Sequence, residues 1–288
     1  MRPEITQATE LLSSNDPSQI DEAIGLLQST VYSFSMKVCG HREDAEDTMQ
    51  EVLFKSIPYL SKITAPRAMA VWLYTVTQNQ CRMARRKSKF APAQTMALDA
   101  FVPDEGELSM LMADSGMSPE ASAISREGDR LLHEAVLRIP PAYRLILVLS
   151  DMEDLDTKEI AKITSLKEGT VRIRLHRARL LVRKELAQSR LPLETKRPRK
   201  TRENKRQTSQ CREMFANLSE YLDERTDGLT YDKMQRHIEA CPQCVAFIRD
   251  LERAVERCRT FSVDCSPATT KTVRNLLAQE YARLIATK

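Results

Sequence analysis

The sequence predicts an all-α protein made of small helical domains joined by linkers. Glycine occurs only 7 times in 288 residues, whereas average usage near 7% would give about 20. Aromatic residues make up 5% of the chain, and β-rich folds need both tight turns and aromatic strand residues. Hydrophobic residues reach 42%, so the chain can form a packed core and is neither collagenous nor wholly disordered.

Length and hydropathy set the broad class of the protein. A chain of 288 residues allows about two domains. It has no apolar run near the roughly 20 residues of a membrane span, and its charged start lacks a signal-peptide core. We therefore expect a cytoplasmic protein with no membrane partner. In a reducing compartment, 7 cysteines favour metal or redox roles over structural disulfides.

The net charge of +4 hides a segregation of acidic and basic residues. The first 60 residues are mainly acidic, which is typical of a surface for a protein partner. Three basic clusters follow, at Arg82–Lys89, Lys167–Lys184 and Lys196–Arg206. Basic clusters on helices indicate binding of a polyanion such as nucleic acid.

Breaks in the helical pattern divide the chain. Apolar residues recur at helical spacing from Ile20 to Phe34, Gly40 ends that helix, and Pro66 precedes another. Stretches rich in polar residues, Pro and Ser, without a period, predict linkers. The expected segments are a helical domain (20–89), a linker (90–123), a second helical domain (124–187), a basic tether (188–210), a third unit (211–260) and a tail with room for one helix (261–288).

The segment 156–186 has the layout of a helix-turn-helix. Asp156 and Glu159 resemble a capping box that opens a short helix, and a turn near Ser165 leads to a longer helix from Glu168. Such a helix can enter the major groove, where its first residues reach base edges and later arginines hold phosphates. The alternative is an ordinary helical hairpin with a solvated basic face.

This segment resembles region 4 of the bacterial extracytoplasmic-function (ECF) sigma factors. The resemblance lies in Asp156–Ala161 and Gly169–Arg179, preceded by Leu137–Pro140, and Ser165 stands where the family often has a turn glycine. It implies that the segment reads the minus-thirty-five promoter element and touches the polymerase β flap. The DNA-binding residues it implies are Thr170, Arg172, Arg174, His176, Arg177 and Arg179.

The first helical domain resembles region 2 of the same family. Gly40–Asp47 leads into Gln50–Val52, and Trp72–Tyr74 precedes the basic cluster. The resemblance implies promoter melting, with the Ser61–Arg67 loop as a pocket for an unstacked base. It implies DNA contacts by Trp72, Tyr74, Asn79, Arg82, Arg85, Arg86 and Lys87, and contacts to the β′ clamp helices by Asp44, Asp47, Gln50 and Glu51.

Structural roles are the alternative for several of these residues. Trp72 taken alone suits a core position, and Tyr74 is similarly ambiguous. Asp44 and Asp47 near a helix N-terminus are favourable there in their own right, because they complement the helix dipole.

A metal site is predicted in the third unit. His237, Cys241 and Cys244 form an H-x3-C-x2-C run, which brings three soft ligands together as tetrahedral zinc requires. The fourth ligand is Cys211, Cys258 or Cys265. A helix after Cys244 would carry Cys258 about 21 Å away, whereas a helical hairpin can bring Cys211 back to the site.

The third unit also looks like the zinc-finger anti-sigma domain family. The similar residues are Cys211, Leu218–Ser219, Tyr221–Glu224 and the H-x3-C-x2-C run. This likeness implies one Zn²⁺ held by Cys211, His237, Cys241 and Cys244, in a module that can mask a sigma factor. The alternative is a zinc-free helical hairpin with thiols.

Three functions are compatible with the sequence. The first is a sigma factor that binds core RNA polymerase and opens promoters, with the zinc unit folding back on the sigma domains to regulate them. The second is a polymerase-independent helix-turn-helix regulator with a zinc or redox sensor domain. The third is a zinc or redox sensor whose sigma core is a protein scaffold. No P-loop, nucleophile elbow or catalytic carboxylate pair indicates an enzyme.

Overall fold

The computed structural model describes residues 2–14, 16–60, 62–86, 124–190 and 228–263, together with 211, 218, 221, 274–277, 279–281 and 283. The predicted linker 90–123 and most of the predicted tether 188–210 lie outside these residues. Most of the described residues are helical, with no β-strand among them, which confirms the predicted all-α class. None of the helices in these ranges is long and apolar enough to cross a membrane.

Ten helices and one π-helical turn occur in the described ranges up to residue 263, and described residues between 274 and 283 are also helical. They are α1 (Pro3–Leu12), α2 (Pro17–Cys39), α3 (Arg42–Leu60), α4 (Pro66–Arg86), α5 (Ile124–Arg138), α6 (Pro141–Leu147), the π turn (Val148–Met152), α7 (Thr157–Thr164), α8 (Glu168–Arg190), α9 (Gly228–Ala240) and α10 (Pro242–Thr260).

The chain divides into two compact units. The first unit contains residues 1–93, 148–171 and 261–288, and the second contains 94–147 and 172–260. The division falls within α8. The first unit therefore joins the region 2-like helices to the π turn, to α7 and to the tail.

Local signals explain the helix ends of the first unit. The Asp16 carboxylate caps α2 by accepting a hydrogen bond from the Ser18 amide at 3.1 Å. Gly40 ends the helix with φ 84°, a left-handed conformation in which glycine carries no Cβ penalty. The core of α1 to α4 is apolar and includes Ile5, Ile24, Leu27, Phe34, Met49 and Leu73.

The predicted capping box and turn of the helix-turn-helix are confirmed. Asp156 accepts from the Glu159 amide at 2.8 Å, and the Glu159 carboxylate accepts from the Asp156 amide at 2.9 Å. Ser165 has φ 56°, so the residue at the family's turn-glycine position adopts the left-handed conformation itself.

In the second unit, α10 packs on the C-terminal half of α8 through a buried arginine. The Arg183 Nε lies 3.0 Å from a carboxylate oxygen of Asp250, and the guanidinium sits 4.2 Å from the Phe247 ring centroid. A paired and stacked arginine can be buried at low cost. The cysteine–histidine part of the chain is thus tied to the basic helix by specific side chains.

Candidate metal centre and nucleic-acid interface

Four soft ligands meet where α9 and α10 join. His237 lies in the last turn of α9, Cys241 in the link, and Cys244 in the first turn of α10. Cys211 is a helical residue that precedes α9 in the chain. Their ligand atoms all lie within 4.8 Å of one another. The structure thus brings together the four predicted ligands, whereas Cys258 lies buried on α10 outside the cluster and Cys265 lies outside the described residues.

Three separations between the donor atoms are close to those of tetrahedral zinc. Cys211 Sγ lies 3.6 Å from His237 Nε2, and Cys244 Sγ lies 3.2 Å from His237 Nε2 and 3.5 Å from Cys211 Sγ. Bonds of about 2.0 to 2.3 Å to a central ion place tetrahedral ligands about 3.3 to 3.8 Å apart. The donor set of three thiols and one imidazole suits zinc chemically as well.

Hydrogen bonding within the cluster favours a thiolate at Cys211. The pKa of Cys211 falls to about 6, chiefly because Cys244 donates a hydrogen bond to it, and His237 lowers it further. The pKa of Cys244 rises, because its proton is held by Cys211 and because it is buried. A thiolate at Cys211 is the form of cysteine that binds a metal ion.

The first turns of α8 present residues for DNA. Arg172 and Ile173 are exposed, and Thr170 and Arg174 are half-buried. Arg177 is half-buried and donates to the Tyr143 hydroxyl at 3.4 Å. His176 and Arg179, by contrast, are buried. The predicted DNA-binding residues are therefore accessible to solvent at the start of α8, whereas those towards its middle are buried.

The predicted DNA residues of α4 divide in the same way. Asn79 is exposed, and Trp72 is half-buried with its ring 5.5 Å from that of Tyr59. Tyr74 is buried, and its ring lies 4.8 Å from that of Phe34. The side chains of Arg82, Arg85 and Arg86 lie outside the described residues, as do Lys87 and Ser61 of the predicted base pocket.

The predicted polymerase-binding residues line one side of α3. Asp44, Asp47 and Glu51 are exposed at helical spacings of three and four, and Gln50 is half-buried beside them. Lys55 donates to Glu51 at 2.6 Å. An acidic stripe on an exposed helix suits a basic protein surface.

A buried charge cluster was missed by sequence reasoning. Glu153, just after the π turn, has no exposed surface, and its carboxylate accepts from Lys37 Nζ at 3.0 Å and from the Tyr74 hydroxyl at 2.6 Å. Arg2 Nε lies 2.7 Å from the same carboxylate.

Helix α1, which follows Arg2, was also not predicted from the sequence, although Ile5, Ala8 and Leu12 show its apolar spacing.

Comparison with known proteins identifies three modules in the chain. Sigma-70 region 2 matches residues 24–90, sigma-70 region 4 matches residues 129–182, and a zinc-finger family matches residues 211–244. These matches contain the acidic stripe, most of the helix-turn-helix and all four soft ligands.

Related proteins agree with these modules. The ECF RNA polymerase sigma factor SigW of Bacillus subtilis is 27% identical over 185 residues, covering 63% of this chain and 96% of SigW. The RNA polymerase sigma-H factor of Pseudomonas aeruginosa is 25% identical, covering 62% of this chain and 92% of its own. ECF sigma factor SigE of Mycolicibacterium smegmatis is 28% identical, covering 58% and 61% respectively.

Proposed function

We propose that this chain is a sigma factor of the ECF type that directs core RNA polymerase to promoters, because it carries matches to sigma-70 regions 2 and 4 in the order of the ECF sigma factors, followed by a zinc-finger match. Regions 2 and 4 bind core RNA polymerase and promoter DNA. The zinc-finger module acts in cis on region 4.

The polymerase contacts are assigned to α3 and to region 4. Asp44, Asp47, Gln50 and Glu51 would meet the β′ clamp helices, and region 4 would meet the β flap. The exposure and helical alignment of the three acids support this assignment. Charged residues that face solvent along one stripe are available to steer and orient a basic partner.

Promoter recognition is assigned to α8 and α4. The exposed start of α8, with Thr170, Arg172 and Arg174, would read the upstream element in the major groove. On α4, Asn79 and the basic cluster would hold the region to be melted. Tyr74 would take part only after it is uncovered, because it is buried against Glu153, whereas Trp72 is half-buried.

One Zn²⁺ is proposed for the module, held by Cys211, His237, Cys241 and Cys244. The ligand spacing and the thiolate character of Cys211 support it. The ion would join Cys211 to the ends of α9 and α10, and thereby set the direction in which α10 leaves the site.

The same helix, α10, carries the proposed restraint of region 4. Asp250 and Phe247 hold Arg183 of α8 in the second unit. This contact keeps the zinc-finger module on the helix that also bears the DNA face, and it supports regulation in cis.

Run-off transcription tests the function. Core polymerase is supplied with the full chain on a library of templates with randomised promoter elements, and we expect transcripts from a defined subset. Replacing Asp44 and Asp47 by lysine should weaken core binding at least tenfold, whereas Glu10→Lys, on the exposed face of α1, should not. A chain that neither binds core polymerase nor yields specific transcripts would overturn the proposal.

A point variant tests the restraint more sharply than truncation, which would also remove the tail. Asp250→Lys opposes Arg183 and should raise transcription, whereas Glu256→Lys makes the same charge change at an exposed position of α10. Equal or lower transcription with Asp250→Lys would mean that the module activates or stabilises region 4.

A further inference from the structure

The described residues near the end of the chain are helical and pack on the region 2-like helices of the first unit, and we call them the tail helix. The described residues 274–277, 279–281 and 283 are helical, and Leu277 and Tyr281, one stripe of this tail helix, are buried. Arg274 lies on the same stripe, with Nη2 3.1 Å from a carboxylate oxygen of Asp21 on α2. Burial and an ion pair together hold the tail on the domain.

A glycine in α2 makes room for this contact. Gly25 follows Asp21 by one helical turn, and a Cβ at that position would lie 3.3 Å from Arg274 Cδ and 3.4 Å from its Nη1. Glycine within a helix is unfavourable relative to alanine. Here its missing side chain lets the Arg274 stem approach the helix backbone.

The neighbouring stripe of the tail helix leaves a groove against α3. The groove has a volume of about 690 Å³ and is lined by Phe54, Ile57 and Pro58 of α3, and by Leu276, Gln279, Glu280 and Arg283 of the tail. Phe54 is 47% exposed and Leu276 is 52% exposed. The tail therefore covers this end of α3 only partly, and two large apolar side chains face water.

The groove lies on the same line of α3 as the acidic residues. Asp44, Asp47 and Glu51 are followed by Phe54 and Pro58 at spacings of three and four, so all five residues share one helical stripe. A partner that binds the whole stripe needs basic groups for its first half and apolar groups for its second. At Phe54 and Pro58 this partner would meet the tail helix.

We propose that the tail helix is an intramolecular competitor for this α3 stripe, and that it gives way to a basic amphipathic helix of core polymerase. This inference rests on the proposed function. The tail already places the apolar side chain of Leu276 beside Phe54, and the Arg283–Glu280 ion pair lines the same groove. Competition follows because the tail lines the groove at Phe54 and Pro58, where the apolar half of the partner would also bind.

The contact between the tail helix and α2 is weak enough for a binding partner to displace the tail helix. Arg274 and Asp21 are each about one-third exposed, and ion pairs of that kind are weak. Because the tail belongs to the same chain, it rebinds at the high effective concentration of a short connection. A tail that covers the stripe for 80 to 90% of the time would weaken apparent polymerase affinity by roughly 5- to 10-fold.

Core polymerase affinity of full-length variants tests this competition. Arg274→Glu places like charges together at Asp21 and should tighten binding by about fivefold, as expected for a largely masked site. The double variant Asp21→Arg with Arg274→Glu restores an opposite pair and should return the affinity to within twofold of the original. Arg259→Glu makes the same charge change on the exposed end of α10 and should have no effect.

A second variant guards against misfolding. Leu276→Lys alters a half-exposed side chain in the groove, so it should tighten polymerase binding without lowering the melting temperature. If Arg274→Glu and Leu276→Lys bind polymerase no more tightly than Arg259→Glu, the competition is wrong while the sigma function stands. If the unaltered chain does not bind core polymerase at all, both the function and this inference fail.

Discussion

The two units each gather polar side chains in their interior, but the two clusters differ in chemistry. In the first unit, Glu153 is surrounded by Lys37, Arg2 and the Tyr74 hydroxyl. In the second, three cysteines and one histidine come together around Cys211, whose pKa falls to about 6. The first centre pairs a carboxylate with cationic side chains of the same chain. The second centre brings together thiol and imidazole groups, which can bind a metal ion.

This difference predicts what each centre depends on. A buried carboxylate is tolerated when its own chain supplies cations and donors, as Lys37, Arg2 and Tyr74 do. A cluster of thiols and imidazole gains most of its stability from an added divalent ion. The first unit should therefore respond to mutation of its partners, and the second to removal of metal.

Metal removal should give the largest effect. Structural zinc sites contribute roughly 10 to 16 kcal/mol of binding free energy, so a chelator should unfold the α9–α10 module. We expect one zinc per chain by elemental analysis, and a loss of helical circular dichroism on chelation that added Zn²⁺ reverses. The unfolding transition of the first unit should not move.

Two cysteine variants make the metal experiment specific. Cys244→Ser should abolish zinc binding, whereas Cys39→Ala in the first unit should retain one zinc per chain. If the chain keeps its full helicity and melting temperature after metal removal, the second unit does not depend on a bound metal ion, and the proposed difference between the two centres is wrong.

Substitution of Glu153 should give the next largest effect. Glu153→Gln leaves Lys37 buried beside a neutral amide, and breaking a buried ion pair in this way costs about 3 to 5 kcal/mol. We expect this loss in the urea unfolding free energy of the first unit, with zinc content unchanged. Glu10→Gln, at an exposed site on α1, should change the free energy by less than about 0.5 kcal/mol. Equal stability of the two variants would show that the buried cluster is not holding the first unit together.

Sequence reasoning succeeded where the signal is local. The capping box of Asp156 and Glu159, the helix end at Gly40 and the H-x3-C-x2-C run each depend on residues a few positions apart. Local spacing fixes which atoms can meet, so these features could be recognised directly. The fourth ligand, Cys211, needed the added resemblance to a zinc-finger family.

The Glu153 cluster could not be predicted, because its parts are far apart in the chain. Lys37 and Tyr74 lie 116 and 79 positions from Glu153. The aromatic motif of α4 indicated a DNA-facing role for Tyr74, and nothing near Glu153 indicated its partner. Which face of a helix is covered depends on tertiary packing, and this also explains why His176 and Arg179 of the basic α8 are buried.

The Tyr74 hydroxyl gives the smallest effect and a distinct pH signature. Burial and the neighbouring Glu153 carboxylate raise the pKa of Tyr74 well above its usual value of 10.0. Above that pH, the unfolded chain releases the phenol proton while the folded chain retains it, so this group makes stability fall as pH rises.

Tyr74→Phe should remove that alkaline loss while costing about 1.5 to 3 kcal/mol at neutral pH, as for a hydrogen bond to a charged group. The measurement is the urea unfolding free energy from pH 7 to 11, compared with Tyr231→Phe at an exposed site. The stability gap between Tyr74→Phe and the unaltered chain should narrow above pH 10, because only the unaltered chain loses the Tyr74 contribution there. A gap that stays constant across this range would mean that the phenol is not held protonated by Glu153. In that case the buried centre of the first unit would consist only of Glu153 with Lys37 and Arg2, whose ion pairs do not depend on the phenol.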